Sequence, residues 1–144
     1  MIVDPNESWT IDEVRGLQGL MTDLRIDLLE QPLPADADGD LVGFHSAIPI
    51  AADESVHVAA DLDTLPDGYG VVNIKLDKCG GLTEGLAIAR QAKKLGLDVM
   101  VGNMMGTSLS MAPSYLVGQL CDIVDLDGPT FLARDRDPGV SYRD

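Results

Sequence analysis

Short apolar runs recur along this chain, and each breaks off at a polar residue. Ile2-Val3 precedes Asp4, residues 26–29 precede Glu30, 48–52 precede Asp53, 71–74 precede Lys75, 99–102 precede Asn103, and Ile123-Val124 precede Asp125. The polar end points follow one another at intervals of 22 to 28 positions. Each run is strand-sized, and the remainder of each interval holds one helix and two loops. The intervening stretches read as helices where their pattern is testable. Thr10 and Glu13 have the spacing of a capping box, followed by an apolar stripe of Ile11, Val14, Leu17, Met21 and Leu24. Leu82, Leu86, Ala89 and Ala92 form a second stripe, closed by Lys93, Lys94 and Gly96. Gly80-Gly81 supplies the turn out of the strand before it, and segments 38–47 and 57–66 are expected to be short helices.

Strands alternating with helices imply an α/β fold with parallel strands joined by right-handed crossovers. An open doubly wound sheet and a closed barrel both satisfy that pattern. No GxGxxG or P-loop follows any of the runs, so the nucleotide-binding open sheets lose their usual mark. A barrel accounts for the polar strand ends, because barrel enzymes place their chemistry at the C-terminal ends of the strands. Composition sets the outer bounds. Hydrophobic residues make up 45% of 144, enough for a packed domain, and a formal charge of −14 argues against nucleic acid or an anionic membrane as partner. The N-terminus has no signal-peptide pattern, and the longest apolar run, 47–52, is too short to span a bilayer, so a cytoplasmic location is expected. Cys79 and Cys121 lack metal-type spacing and are expected to be reduced.

Asp4, Glu30 and Asp53 end three consecutive runs. Taken singly, each is most simply a solvated loop acid or a helix cap. Three carboxylates at matching strand ends repel unless a cation neutralises them, and hard oxygen donors suit Mg2+, with Mn2+ as a substitute. Lys75 ends the next run. A nearby dication and partial burial both depress a lysine pKa, which makes Lys75 a candidate general base for removing a proton alpha to a carboxylate. Asp125 and Asp127, two apart, face one way if they lie on a strand and then suit an ammonium group; an Asp-Leu-Asp-Gly-Pro turn with an Asx cap fits the spacing equally well.

At these residues the sequence resembles the enolase superfamily, in its muconate-lactonising subgroup. Segments 3–9, 28–34, 51–56 and 73–81 carry the likeness. The resemblance implies the C-terminal portion of a (β/α)7β TIM-type barrel, with about six parallel strands and their helices. It implies metal ligands at Asp4, Glu30 and Asp53 and a catalytic lysine at Lys75, with proton abstraction through an enediolate, the chemistry known for that superfamily. Segments 101–114 and 124–129 are similar to dipeptide epimerases, in which the Asp-Xaa-Asp pair, here Asp125 and Asp127, binds a substrate ammonium. Many of those enzymes carry Glu where this chain has Gly106. The implied substrate is a dipeptide. An acyl-amino-acid racemase, a lactonising enzyme, a succinylbenzoate synthase and a non-catalytic remnant are the alternatives, and a homo-oligomer is implied for the complete protein. Members of the family also carry a capping domain and two earlier barrel strands, the second with a Lys-Xaa-Lys motif. Residues 1–144 are therefore expected to be a partial barrel, inactive by itself.

Overall fold

The computed structural model describes residues 1–141. Six short strands form one sheet in chain order: β1 (Ile2–Val3), β2 (Leu28–Glu30), β3 (Ile50–Ala52), β4 (Val71–Ile74), β5 (Asp98–Val101) and β6 (Ile123–Val124). The pairs β1–β2, β2–β3, β3–β4 and β5–β6 are parallel, as the βα repeat requires. Four helices, α1 (Ile11–Asp23), α2 (Leu76–Cys79), α3 (Leu82–Leu95) and α4 (Ser108–Gly118), and three 3-10 turns fill the connections. The chain divides into two compact units that meet inside β4, the first ending at Val72 and the second beginning at Asn73.

The first unit is organised around β2 and β3, whose residues are all buried. Near-continuous burial is the mark of a parallel strand covered on both faces. α1 starts at the expected capping box: the Thr10 N–H donates to Glu13 Oε2 at 2.7 Å, and the Glu13 N–H returns to Thr10 Oγ1. Val14 and Met21 are its buried residues, whereas Leu24 lies outside the stripe, as the exposed C-cap. The short helices expected at 38–47 and 57–66 are instead 3-10 turns, at Ala35–Leu41 and Ala59–Asp63. Asp36, Asp38, Gly39 and Asp40 crowd the first, and Asp and Gly both work against an α-helix interior.

In the second unit α3 buries Ala89 and Ala92 of the expected stripe together with Gly85 and Ile88, while Leu82 and Leu86 are half-buried. Gly85 marks a close approach: a Cβ there would come within 2.6 Å of Leu76 Cδ2 and 3.4 Å of Ile74 Cγ2. Gly80 and Gly81 do not lead out of β4. They separate α2 from α3, at φ 84° and 127°. Lys75 is the residue that leaves β4, as N-cap of α2. α4 takes the helix place of the interval 103–125, where no apolar stripe announces it. Cys79 and Cys121 are both free thiols, as expected.

Candidate active site

In the first unit, strand register decides which side chains share a face. Val3 pairs with Leu29 and Glu30 with Ala51, so one step past β1 Asp4 comes level with Glu30. Side chains alternate between faces, so Asp53, two residues beyond Ala51, falls on the side of Glu30 and Asp4. Glu30 and Asp53 are buried, at 5% and 1% exposure, while Asp4 is exposed and accepts the Asn6 N–H at 2.8 Å. Acids are rarely buried unless they are paired or hold a cation. Among the described residues no three His, Cys, Asp or Glu side chains stand gathered as a ready metal cluster. Backbone register, rather than a closed side-chain shell, groups these three. The donor chemistry fits Mg2+: hard carboxylate oxygens, one of them open to water.

Backbone strain concentrates beside the same residues. Asn6, Glu7 and Gln31 hold φ of 50°, 62° and 30°, each within three residues of Asp4 or Glu30. Left-handed conformations at non-glycine residues persist where the surroundings enforce them, and they cluster at functional sites. The two loops are tied together: the Glu7 N–H donates to the Gln31 carbonyl at 2.8 Å, and Glu7 Oε1 accepts the Ala35 N–H at 2.8 Å.

In the second unit Lys75 is half-buried at the end of β4, beside the buried Asn73. Gly102 is required next to it, because a Cβ there would lie 2.8 Å from Asn73 Oδ1. Asp125 and Asp127 do not lie on a strand. β6 ends at Val124; Asp125 still donates its N–H to the Val101 carbonyl at 2.9 Å, and Asp127 caps the 3-10 turn Gly128–Phe131. That cap has no side-chain hydrogen bond, so the Asx-cap alternative is not formed either. The loop nevertheless keeps the two carboxyls close enough to feel each other's charge. Burial, then the charge of Asp127, pushes the Asp125 carboxyl above the ordinary aspartate range, and the positive charge of Lys75 pulls it back. Lys75, Asp125 and Asp127 are thus electrostatically connected, as two acids that resist being charged together and one facing cation.

Gln31 is the residue that sequence reasoning passed over. It is fully buried, and its side chain reaches Leu33, Asp53, Ser55 and Tyr69. A glutamine between Glu30 and Pro32 offers no periodicity or spacing by which to find it.

A family model described as enolase C-terminal domain-like matches residues 1–125. The chain belongs to the enolase superfamily. Over 143 residues it is 46% identical to the N-acetyl-D-glutamate racemase of a Pseudoalteromonas species, which covers 99% of this chain and 45% of that protein. Among solved structures it is similar to an enolase family member from Agrobacterium tumefaciens with homology to dipeptide epimerases, with bound sodium and L-Ala-L-Glu. The identity is 51% and the TM-score 0.94, over 99% of this chain and 44% of that one. It is also similar to a dipeptide epimerase from Methylococcus capsulatus complexed with Mg and L-Arg-D-Lys, at 40% identity and TM-score 0.87, over 94% of this chain and 40% of that one. The chain therefore has the fold of the C-terminal part of an enolase-superfamily barrel, and it spans less than half the length of these relatives. Two of these three relatives are isomerases by name, one a racemase and one an epimerase. No helix among the described residues is long and apolar enough to cross a membrane.

Proposed function

We propose that this enolase-superfamily chain carries the metal ligands, one acid/base and the ammonium-binding pair of a Mg2+-dependent dipeptide epimerase. Asp4, Glu30 and Asp53 would hold the cation, with Mn2+ able to replace Mg2+. When bound, it supplies positive charge to the substrate carboxylate and so acidifies the adjacent carbon. Lys75 removes or returns the α-proton on one face of that carbon. Asp125 and Asp127 hold the substrate's free α-ammonium by charge-assisted hydrogen bonds, which fixes the reacting carbon relative to Lys75. Epimerisation follows when the proton leaves one face and another arrives on the opposite one.

The observation that carries the dipeptide reading is the placing of Asp125 and Asp127 in one short loop after β6, where burial and then the charge of Asp127 raise the Asp125 carboxyl above its ordinary range. A cation placed between them relieves that repulsion, and a free dipeptide offers one. An N-acylated amino acid does not. The second reading, an acyl-amino-acid racemase, draws on the 46% identity to the N-acetyl-D-glutamate racemase. The full-length protein decides between them when given L-Ala-L-Glu and N-acetyl-L-glutamate side by side. The epimerase reading expects kcat/KM to favour the free dipeptide by at least tenfold, and equal or reversed values would favour the racemase.

A second test addresses Lys75. Its replacement by alanine should lower turnover ~10²–10⁴-fold, the usual contribution of a general base, while Mg2+ binding by calorimetry is unchanged. Retention of more than a tenth of the wild-type turnover would remove Lys75 from the role.

A further inference from the structure

We propose that Gln31 is a positioning residue for the metal site, setting the place of Asp53 from the strand that carries Glu30. The proposal rests on the metal reading above and deepens it. Gln31 follows Glu30 directly, is fully buried, and holds a left-handed φ of 30°. Its Oε1 accepts the Asp53 N–H at 2.8 Å, the Ser55 N–H at 3.3 Å and the Ser55 hydroxyl at 3.1 Å. Its Nε2, which has two hydrogens to donate, lies within hydrogen-bonding distance of three acceptors: the Leu33 carbonyl at 3.0 Å, Ser55 Oγ at 2.8 Å and the Tyr69 hydroxyl oxygen at 2.9 Å.

The partners fix the amide in one orientation. A carbonyl at Leu33 accepts only from the NH2 end, and the backbone N–H groups of Asp53 and Ser55 donate only to the oxygen end. A flipped amide would set like against like on both sides. Tyr69 holds the NH2 end in place: its own hydroxyl donates to Asp38 Oδ1 at 2.5 Å, which leaves its lone pairs for Gln31. Burial, then Asp38, raises the phenol above the ordinary tyrosine range, so it remains a donor at neutral pH. A chain of oriented bonds thus runs from Asp38 through Tyr69 and Gln31 to the backbone of Asp53. A carboxylate ligand needs its backbone fixed to a fraction of an ångström, and groups behind the ligands of a metal site commonly set affinity through such bonds.

The test uses the full chain and two readouts: Mn2+ affinity and line shape by electron paramagnetic resonance, and hydrogen exchange of the Asp53 amide without metal. Gln31→Met keeps the length and removes every polar atom. It should weaken Mn2+ ~10–100-fold, the range for groups that orient metal ligands, change the line shape, and speed Asp53 exchange at least tenfold. Val14→Ala, a cavity in α1 outside this network, is the control: it should lower the melting temperature and leave both readouts alone. If Gln31→Met does not fold, Tyr69→Phe, which removes only the hydroxyl, carries the same two readouts, with about a tenfold loss of affinity expected. The proposal is overturned if either readout fails to move in the network variant or if Val14→Ala moves them equally. Wild-type protein that binds no Mn2+, or an Asp53→Asn variant that binds it as well as wild type, sinks the metal reading instead. The Asp53 amide then decides by itself whether Gln31 holds that backbone.

Discussion

Asp125 shows how much chemistry a single loop position holds. Its carboxyl is half-buried and feels the charges of Asp127 and Lys75, with burial and Asp127 raising its proton affinity and Lys75 lowering it. Because the folded-state pKa lies above the unfolded one, the folded chain binds more protons through the interval between them. Stability is then greatest below the ordinary aspartate value and falls as the pH rises through the raised one. Asp125→Asn removes the charge and keeps a partner for Asp127. Its melting temperature should exceed wild type at pH 7, and the difference should close as the pH is lowered toward 4. A difference that stays constant with pH would show that Asp125 carries no raised pKa. That Asp4, Glu30, Asp53 and Lys75 stand at strand ends was legible in the sequence, because each stands where an apolar run stops. Gln31 was not, because its partners Asp53, Ser55 and Tyr69 are 22, 24 and 38 positions away, and only the fold assembles them.

At the scale of elements, legibility follows locality. The capping box of α1 is complete within four residues, so Thr10 and Glu13 disclose it. Thr10→Ala should cost about 1 kcal/mol in a urea titration, the typical loss of an N-cap hydroxyl. That the two short helices are 3-10 rather than α is not legible, because apolar and acidic residues there lack any period that separates the two. The bounds of α4 are hidden for a different reason. It carries Pro113 at its centre and exposes Leu109, Tyr115 and Leu116 while burying Met111 and Val117, so apolar residues surround it and no stripe forms. Gly68 shows a contact that no pattern encodes. A Cβ there would lie 2.4 Å from the Leu41 carbonyl oxygen and 2.9 Å from Leu41 Cβ, against backbone that cannot swing aside. Gly68→Ala should therefore destabilise the first unit by ~1–3 kcal/mol, the cost of overpacking, although alanine lowers the entropy of the unfolded chain. A neutral result by denaturant unfolding would mean that the turn at 66–70 relaxes freely.

At the scale of the whole molecule, the succession of six strands follows from the repeat alone, whereas inversion at a carbon requires proton transfer on two faces. Lys75 serves one. The resemblance places the other on a Lys-Xaa-Lys strand, and no such triplet occurs in these 144 residues. Residues 1–144 expressed alone with saturating Mg2+ should therefore not interconvert L-Ala-L-Glu and L-Ala-D-Glu. Lys75 can still take the α-proton and return a solvent deuteron to the same face, which exchanges one epimer without inverting it. Physical state enters as well. Leu109, Tyr115, Leu116, Val124 and Phe131 are 47–68% exposed, beside a groove of about 640 Å³ lined by Met111, Val124 and Leu126. Apolar surface of that extent favours association, so sedimentation velocity should show species heavier than the 15.3 kDa chain. Proton NMR in D2O on the same sample reads the chemistry: loss of the α-proton signal with no new epimer marks one-sided exchange. A monodisperse monomer that produces L-Ala-D-Glu would show that a second proton donor lies within these residues, and Lys78, whose Nζ reaches the Asn73 carbonyl at 3.3 Å, would be the first to replace by alanine.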